Sequence, residues 1–561
     1  MNRRLVGYTL LFGIIYFYFK HNEKTKLEDV EKKEETKKVS IEKNIEKKNV
    51  FEIHQEDEKI KGEKKEFSLE NDEIKVVFSN IGARIVSVEL KNYKNYQKKN
   101  VTLLTPESSS IFFMIERKDK TKINTKDLLF NNVKIEKNKI EFEYISSNNE
   151  KITSIFELNE KKPFVLRHKF NFPNFNNCNK MYMSIINLLQ RQETNIDDCR
   201  NRSTVKFMEQ SGNVNGFNES LQKEEMQNKQ DLKWISWKQK FFTSGLSLKD
   251  NKNNTEIYVA PGEKNIIKNT CFNIEFIDFK GDINLDFYFG PNKINSLNTF
   301  TDKFDQNIYY GMPGVRIFNR YILLPVTNYM DLKNINVAII ILLLVLLLKL
   351  LLFPLNFKSY KMMAKMKVLT PLLKSLNEKY KDDKEKLAFE QLRLYKEYGV
   401  NPLSSILPLF LQFPFLIAMF NFIPISFVFR EKSFLWCKDM STYDSIMNFG
   451  FNIPFYGDHL SLFALLMTLT TVVYTLYSNK SSGMSKNSLI MMIFFPLFFL
   501  GISNRFCGAL NLYYLIFNII TLIVQHFMKY FINEEDITNK MQISIASINK
   551  SDKNFSKQFI N

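Results

Sequence analysis

The chain has 561 residues, with 78 Lys and Arg against 60 Asp and Glu, a net charge of +18 and 45% hydrophobic residues. That length accommodates two or more domains. Lys and Glu crowd residues 21–66 while the chain beyond residue 330 holds long apolar runs, so the basic balance alone does not point to nucleic acid. The five cysteines, Cys178, Cys199, Cys271, Cys437 and Cys507, form no CxxC pair, which argues against a zinc or redox motif. Pairing of Cys178 with Cys199 stays open. No Walker-type loop, HExxH or nucleophile motif is present, so no cofactor, metal or catalytic residue is expected, and the chain reads as a non-enzyme.

Residues Leu5 to Phe19 are apolar, follow Arg3 and Arg4, and precede Lys20. No small-residue cleavage site follows, so residues 1–20 are expected to be an uncleaved anchor with a cytoplasmic N-terminus. Residues 21–66 are a charged tether with too little apolar surface to offset chain entropy.

Residues 67–305 read as a β-sandwich domain. ARIVSVEL, KIEFEYIS, FVLRHKFNF and INLDFYFG alternate with the period of strands, punctuated by Asn and Gly. Residues 185–232 are polar and are expected to be loop or short helix. Trp234 and Trp237 read as packing residues, and His54 and His168 as isolated histidines without a catalytic partner. In the region 306–335, Ile317, Phe318, Tyr321, Ile322, Leu324 and Leu332 recur at helical spacing. This suits an amphipathic helix lying in a membrane interface, with a lid on the β-domain as the competing reading.

The stretch 337–355, VAIIILLLVLLLKLLLFPL, is apolar except for Lys349. Nineteen helical residues rise roughly 28 Å, close to the ~30 Å hydrocarbon thickness of a bilayer. A charge there costs roughly 2.5–3.5 kcal/mol on insertion scales, so Lys349 either snorkels to the nearer interface or faces a wet cavity. Residues 357–402 then carry eleven Lys and Arg against six Asp and Glu, which places them in the cytoplasm. Met363, Met366, Leu369, Leu372, Leu373 and Leu376 mark one helix of a hairpin. Asp382 with Glu385 is expected to cap the second, and Gly399 and Pro402 to stop it. Further spans are expected near 403–429, 460–477, 489–503 and 508–528. The last carries Asn511, Tyr513, Tyr514, Asn518 and Gln525, a heavy polar load for a lipid-facing helix. The helical membrane core is thus expected over 336–532, and 533–561 is expected to be a cytoplasmic tail.

LLLFPLNFKSYKMMAKMKVLTPLLKSLNEKYKDDKEKL, followed by LYKEYGVNPLSSILPLFLQFPFLIAMF, resembles the bacterial YidC membrane insertases of the YidC/Oxa/Alb family. The shared marks are a basic residue five before Pro354, the MAKM run, the YKxxxVNPL start of the next span, LQFP with Gln412, and NLYYLIFN near the end. Anchor, tether and β-domain match the layout of the Gram-negative form. The resemblance implies a multi-domain membrane protein. Its parts would be an N-terminal anchor, a periplasmic β-sandwich, a five-helix α-helical transmembrane core and a cytoplasmic helical hairpin. It implies an inner-membrane insertase and chaperone for nascent membrane proteins, acting alone or with the Sec translocon, with ribosome and lipids as partners and no small-molecule substrate. It also implies a hydrophilic, positively charged substrate groove carrying Lys349, Gln412, Tyr513, Tyr514 and Asn518. Lys349 stands where the family usually has arginine, so the charge is kept and the bidentate fork lost. Val345, one turn earlier, is apolar where some members carry a hydroxyl. The residues alone leave a polytopic transporter or channel as the alternative. No inverted repeat supports that alternative, and an intramembrane enzyme would lack paired catalytic groups, since His459 and His526 lie near span ends.

Overall fold

The computed structural model describes residues 63–146, 150–173, 178–399, 407–454, 456–479 and 486–531. The expected anchor, nearly all of the tether, the VNPL motif and the tail lie outside the described residues.

Three antiparallel sheets build the β-domain. The nine-stranded sheet runs in the order Val214–Gly216, Thr204–Glu209, Leu232–Lys238, Phe242–Ser247, Asp282–Pro291, Val165–Asn171, Lys151–Leu158, Lys139–Ile145, Asn132–Glu136. The six-stranded sheet runs Glu225–Gln230, Asn253–Pro261, Ile266–Phe276, Cys178–Gln190, Ser109–Arg117, Lys122–Asn124, and a four-stranded meander covers Glu66–Leu104. Period-two alternation sets the register. In VLRHKFN, Leu166, His168 and Phe170 turn inward and Arg167 and Lys169 outward. Leu166 stands opposite Phe287, and Arg167 opposite Glu157, its ion-pair partner. The large sheets meet face to face. Phe113 stacks on Phe170 at 4.2 Å, and Trp237 sits edge-on to Phe272 at 4.9 Å while its Nε1 donates to Thr270. Trp234 is likewise core, edge-on to Phe304. The expectation of loop or short helix across 185–232 holds for the helix Ile196–Asn201 and is otherwise corrected, because that stretch also supplies the end of one strand and three others. Its edge strand, EMQNKQ, is mostly solvent-exposed and lacks the apolar rhythm that marks an inner strand. All five thiols are free.

His168 is buried, stacked on Phe156 at 4.2 Å and bonded through Nε2 to Ser154. Burial pushes its pKa down to about 3, so the folded domain holds it neutral. Unfolded chains bind that proton below about pH 6.5. The neutral ring's contribution is therefore complete above that pH and is lost as pH falls toward the folded value, at about 1.4 kcal/mol per pH unit. Between pH 7.5 and 5, His168→Gln should show about 2 kcal/mol less loss of stability than the parent. Urea titrations of the full chain in detergent, followed by tryptophan fluorescence, measure this; equal losses would refute it.

Among the helices, α1 (Ile196–Asn201) lies in the β-domain, capped by the Asn195 side chain. After the single helical turn Ile294–Leu297 come α2 (Pro313–Phe318), a π-turn over Asn319–Leu323, and α3 (Leu324–Leu332). Ile317, Tyr321 and Leu332 are 60%, 66% and 81% exposed, whereas Asn319 and Thr327 are buried. Apolar side chains lie on both sides: Ile317, Tyr321, Ile322 and Leu332 are exposed, while Val315 and Leu323 are buried and Phe318 packs on Phe415. Asn319 Nδ2 donates to the carbonyls of Tyr310 and Ala418, tying this segment to the helical core.

The core comprises α4 (Val337–Lys379), α5 (Lys384–Glu397), α6 (Leu407–Phe422), α7 (Leu462–Asn479), α8 (Lys486–Ser503) and α9 (Gly508–Phe531). Five of these form the bundle: α4 lies against α6 and α9, α9 against α7, and α7 against α8. The span at 337–355 is not a separate helix. It continues without a break through Pro354 and Pro371, giving 43 residues, or about 65 Å. Half of that length crosses a bilayer and the rest projects beyond it. Its far end packs against α5 through Leu369, Leu373, Leu394, Tyr395 and Tyr398. Asp383, not Asp382, caps α5, and Gly399 at φ +57° follows its end. Where a span was expected to reach residue 429, α6 ends at Phe422 and short 3₁₀ turns follow. By length and composition, α4 over Val337–Met366 and α9 over Gly508–Met528 can each cross a membrane; Gln412–Ile425, Leu462–Tyr477 and Ile493–Ser503 are shorter apolar stretches.

β-Domain and helices meet along a charged seam. The Arg430 guanidinium, almost fully buried, contacts Glu193 at 2.9 Å, donates to the Lys94 carbonyl and lies over Phe242. Lys240 Nζ pairs with Asp198 at 2.6 Å and donates to the Ser441 carbonyl at 2.8 Å. Burial works against the charge on Asp198, but Lys240 and Arg202 outweigh it and hold the carboxyl below its ordinary range. Phe427 fills the space between Tyr93, Phe241 and Phe242.

Candidate functional site

The site is built on the inner faces of α4, α7 and α9. On α9, Tyr514, Asn518, Thr521 and Gln525 follow at intervals of four, three and four, which aligns them in one stripe. On α7, Thr468, Thr471 and Thr475 do the same. Each of these threonine hydroxyls donates to a carbonyl four residues back, which allows it to sit in an apolar helix. The two stripes meet where Asn518 Nδ2 donates to Thr471 Oγ1 at 2.8 Å.

Lys349, half-buried, comes from α4 and turns toward α9. Its Nζ donates to Thr521 Oγ1 at 2.5 Å, and the Thr521 hydroxyl donates onward to the Phe517 carbonyl. The ammonium also stands 3.4 Å from the centre of the Phe517 ring. A cation over an aromatic face gains about 2 kcal/mol or more when desolvated, so these two contacts hold the charge inside the bundle. Among the described residues, no carboxylate pairs with it. One turn further along α9, Gln525 is buried with its Oε1 unpaired.

Of the residues expected to line a groove, the structure brings Lys349 and Asn518 onto this polar track, with Tyr514 half-buried on the same stripe. Tyr513 is instead 3% exposed, packed against Tyr514 and Phe517. Gln412 is half-buried on α6, and no described contact links it to Lys349. Thr521 and Phe517, which hold the ammonium, went unnoticed in sequence. Their one signal is spacing, three and seven residues beyond Tyr514.

The family model of the 60Kd inner membrane protein matches residues 328–535, and that of the YidC periplasmic domain matches residues 66–324. A membrane protein insertase YidC of Amoebophilus asiaticus is 34% identical over 520 residues, covering 89% of this chain and 86% of the relative. The chain belongs to the YidC membrane protein insertase family. A YidC of Cytophaga hutchinsonii is 30% identical over 517 residues, covering 88% and 82% of the two chains. Among solved structures, an active YidC insertase with its first transmembrane domain resolved covers 83% of this chain and 93% of its own, at 16% identity and a TM-score of 0.34.

As a YidC-family insertase, the chain is an inner-membrane protein with a periplasmic β-domain, and nascent membrane proteins are its clients. The seam then fixes sides. Arg430 and Ser441 touch the periplasmic domain, so the loop between α6 and α7 is periplasmic too. On that side the helix ends are bound tightly. Asp444 accepts from Ser461 Oγ, the Phe463 amide and Trp436 Nε1, while Asn504 donates to the carbonyls of Tyr456 and His459.

Proposed function

We propose that this YidC-family chain receives the polar tail of a nascent membrane protein in a notch that opens to the cytoplasm. Lys349 would attract the tail's acidic groups. Asn518, Thr521, Tyr514 and Gln412 would offer hydrogen bonds along the way, and Tyr513 would form part of the wall. Polar peptide entering hydrocarbon loses hydration that nothing replaces. A hydrated notch partway across shortens that path, and the apolar segment of the client gains about 25 cal/mol per Å² as it passes into lipid. No bond is made or broken, so the process needs no catalytic residue and no small-molecule substrate. The observation that carries this reading is the direction of Lys349: its ammonium is held by α9 inside the bundle.

The same reading places both termini and the α4–α5 hairpin in the cytoplasm. An odd number of core crossings from the periplasmic domain and the hairpin's basic excess support this. There the hairpin would meet ribosome or anionic lipid. Cooperation with the Sec translocon belongs to the same proposal.

A photoreactive residue at Gln412 or Asn518 should crosslink to the apolar segment of a ribosome-stalled client, while one at Asp250, on the β-domain surface, should not. Absence of crosslinks from both core positions in a ribosome-bound complex would reject the notch.

A further inference from the structure

The loop between α6 and α7 ends in a two-stranded hairpin, Met447–Ile453 paired with Gly457–Leu460. It is a sheet of its own. Two strands are marginal in water unless an apolar face is covered. This one leaves its apolar side chains uncovered: Ile446, Met447 and Phe451 are 47%, 56% and 65% exposed, and half-buried Phe449 contacts Phe451 and Tyr456. From Ser445 to Leu460 the chain carries no Lys, Arg or Glu and a single Asp, Asp458.

Its height is fixed from two sides. The second strand ends two residues before α7 begins at Leu462, and the Tyr456 and His459 carbonyls are held by Asn504 in the corner between α8 and α9. Exposed Arg505 stands at that corner, beside Gly457. Ends of membrane-crossing helices lie at the headgroup level, where aromatic side chains and basic residues concentrate. The hairpin thus sits at the height of the helix ends, with Met447 and Phe451 exposed there.

We infer that the Met447–Leu460 hairpin is a lipid anchor whose apolar face, centred on Met447 and Phe451, dips into the outer leaflet at the boundary between headgroups and acyl chains. The inference rests on the helices crossing the membrane, not on the notch, so failure of one leaves the other standing. A nitroxide at Phe451→Cys, in a Cys178→Ser background, is measured on the full chain in phosphatidylethanolamine–phosphatidylglycerol vesicles. The other four thiols are buried. Collision rates with oxygen, which concentrates in lipid, and with a water-soluble nickel chelate report depth. At 451 the ratio of oxygen to nickel collisions should be at least threefold higher than at Asp250→Cys. Adding Met447→Asp should lower it. A ratio equal to that at 250 would overturn the inference, because the face would be in water. Low accessibility to both reagents would overturn it too, since the face would be covered by protein, such as a second copy.

Discussion

Lys349→Ala should reduce insertion of clients with acidic translocated tails about tenfold, while Lys349→Arg retains it. An ion pair at 4 Å is worth about 1 kcal/mol in water and about 4 kcal/mol at an effective dielectric of 20. The proposed half-wet notch would lie between these, and 1.4 kcal/mol corresponds to a factor of ten. Arginine keeps the charge and adds a fork that binds carboxylates in two places. It must also find new partners at Thr521 and Phe517, which are spaced for an ammonium. Clients with uncharged tails should insert almost equally well with alanine, which separates loss of attraction from loss of fold. Protease protection of the translocated tail in proteoliposomes measures each case. Equal insertion of acidic tails by the alanine form would show that the charge is dispensable.

The second large effect lies at the seam. Arg430→Ala should destabilise the joined β-domain and core by about 3–5 kcal/mol, because Glu193 would remain buried without its hydrogen-bonded partner and with only the more distant Lys240 to offset its charge. The Lys94 carbonyl would lose its donor as well. Replacing both charges, as in Arg430→Met with Glu193→Leu, should recover most of the loss, since well-packed apolar side chains often substitute for a buried ion pair at little cost. Chemical unfolding of the four members of this cycle gives the coupling energy. A single-variant loss below about 1 kcal/mol would mean that water already reaches the pair.

Much of this architecture was legible because hydrophobic period is a physical requirement. Leu166, His168 and Phe170 alternate since one sheet face must be buried, and 337–355 is apolar since it meets hydrocarbon. The misreadings have physical causes as well. The edge strands Val214–Gly216 and Glu225–Gln230 border solvent and carry mostly polar side chains, so their rhythm is faint. The polar residues after Leu355 marked the end of the apolar span, yet α4 continues through them to Lys379. The seam was invisible, because Glu193 and Arg430 are 237 residues apart and only the fold brings them together. At the site, a lysine in an apolar run was conspicuous. The threonine and phenylalanine that hold it look like ordinary members of a membrane helix.

The unbroken course of α4 has a mechanical consequence. Lys349 and the contacts with α5 ride on one rod, and the 30 residues from Lys349 to Lys379 measure about 45 Å. On the proposed orientation, a load applied at the α5 end would reach the ammonium along one continuous helix, with the missing backbone bonds at Pro354 and Pro371 as its softest points. If the proposed notch captures a tail, engagement of a bulky body at that tip would be coupled to it in series, and a flexible linker inserted after Leu355 would uncouple the two.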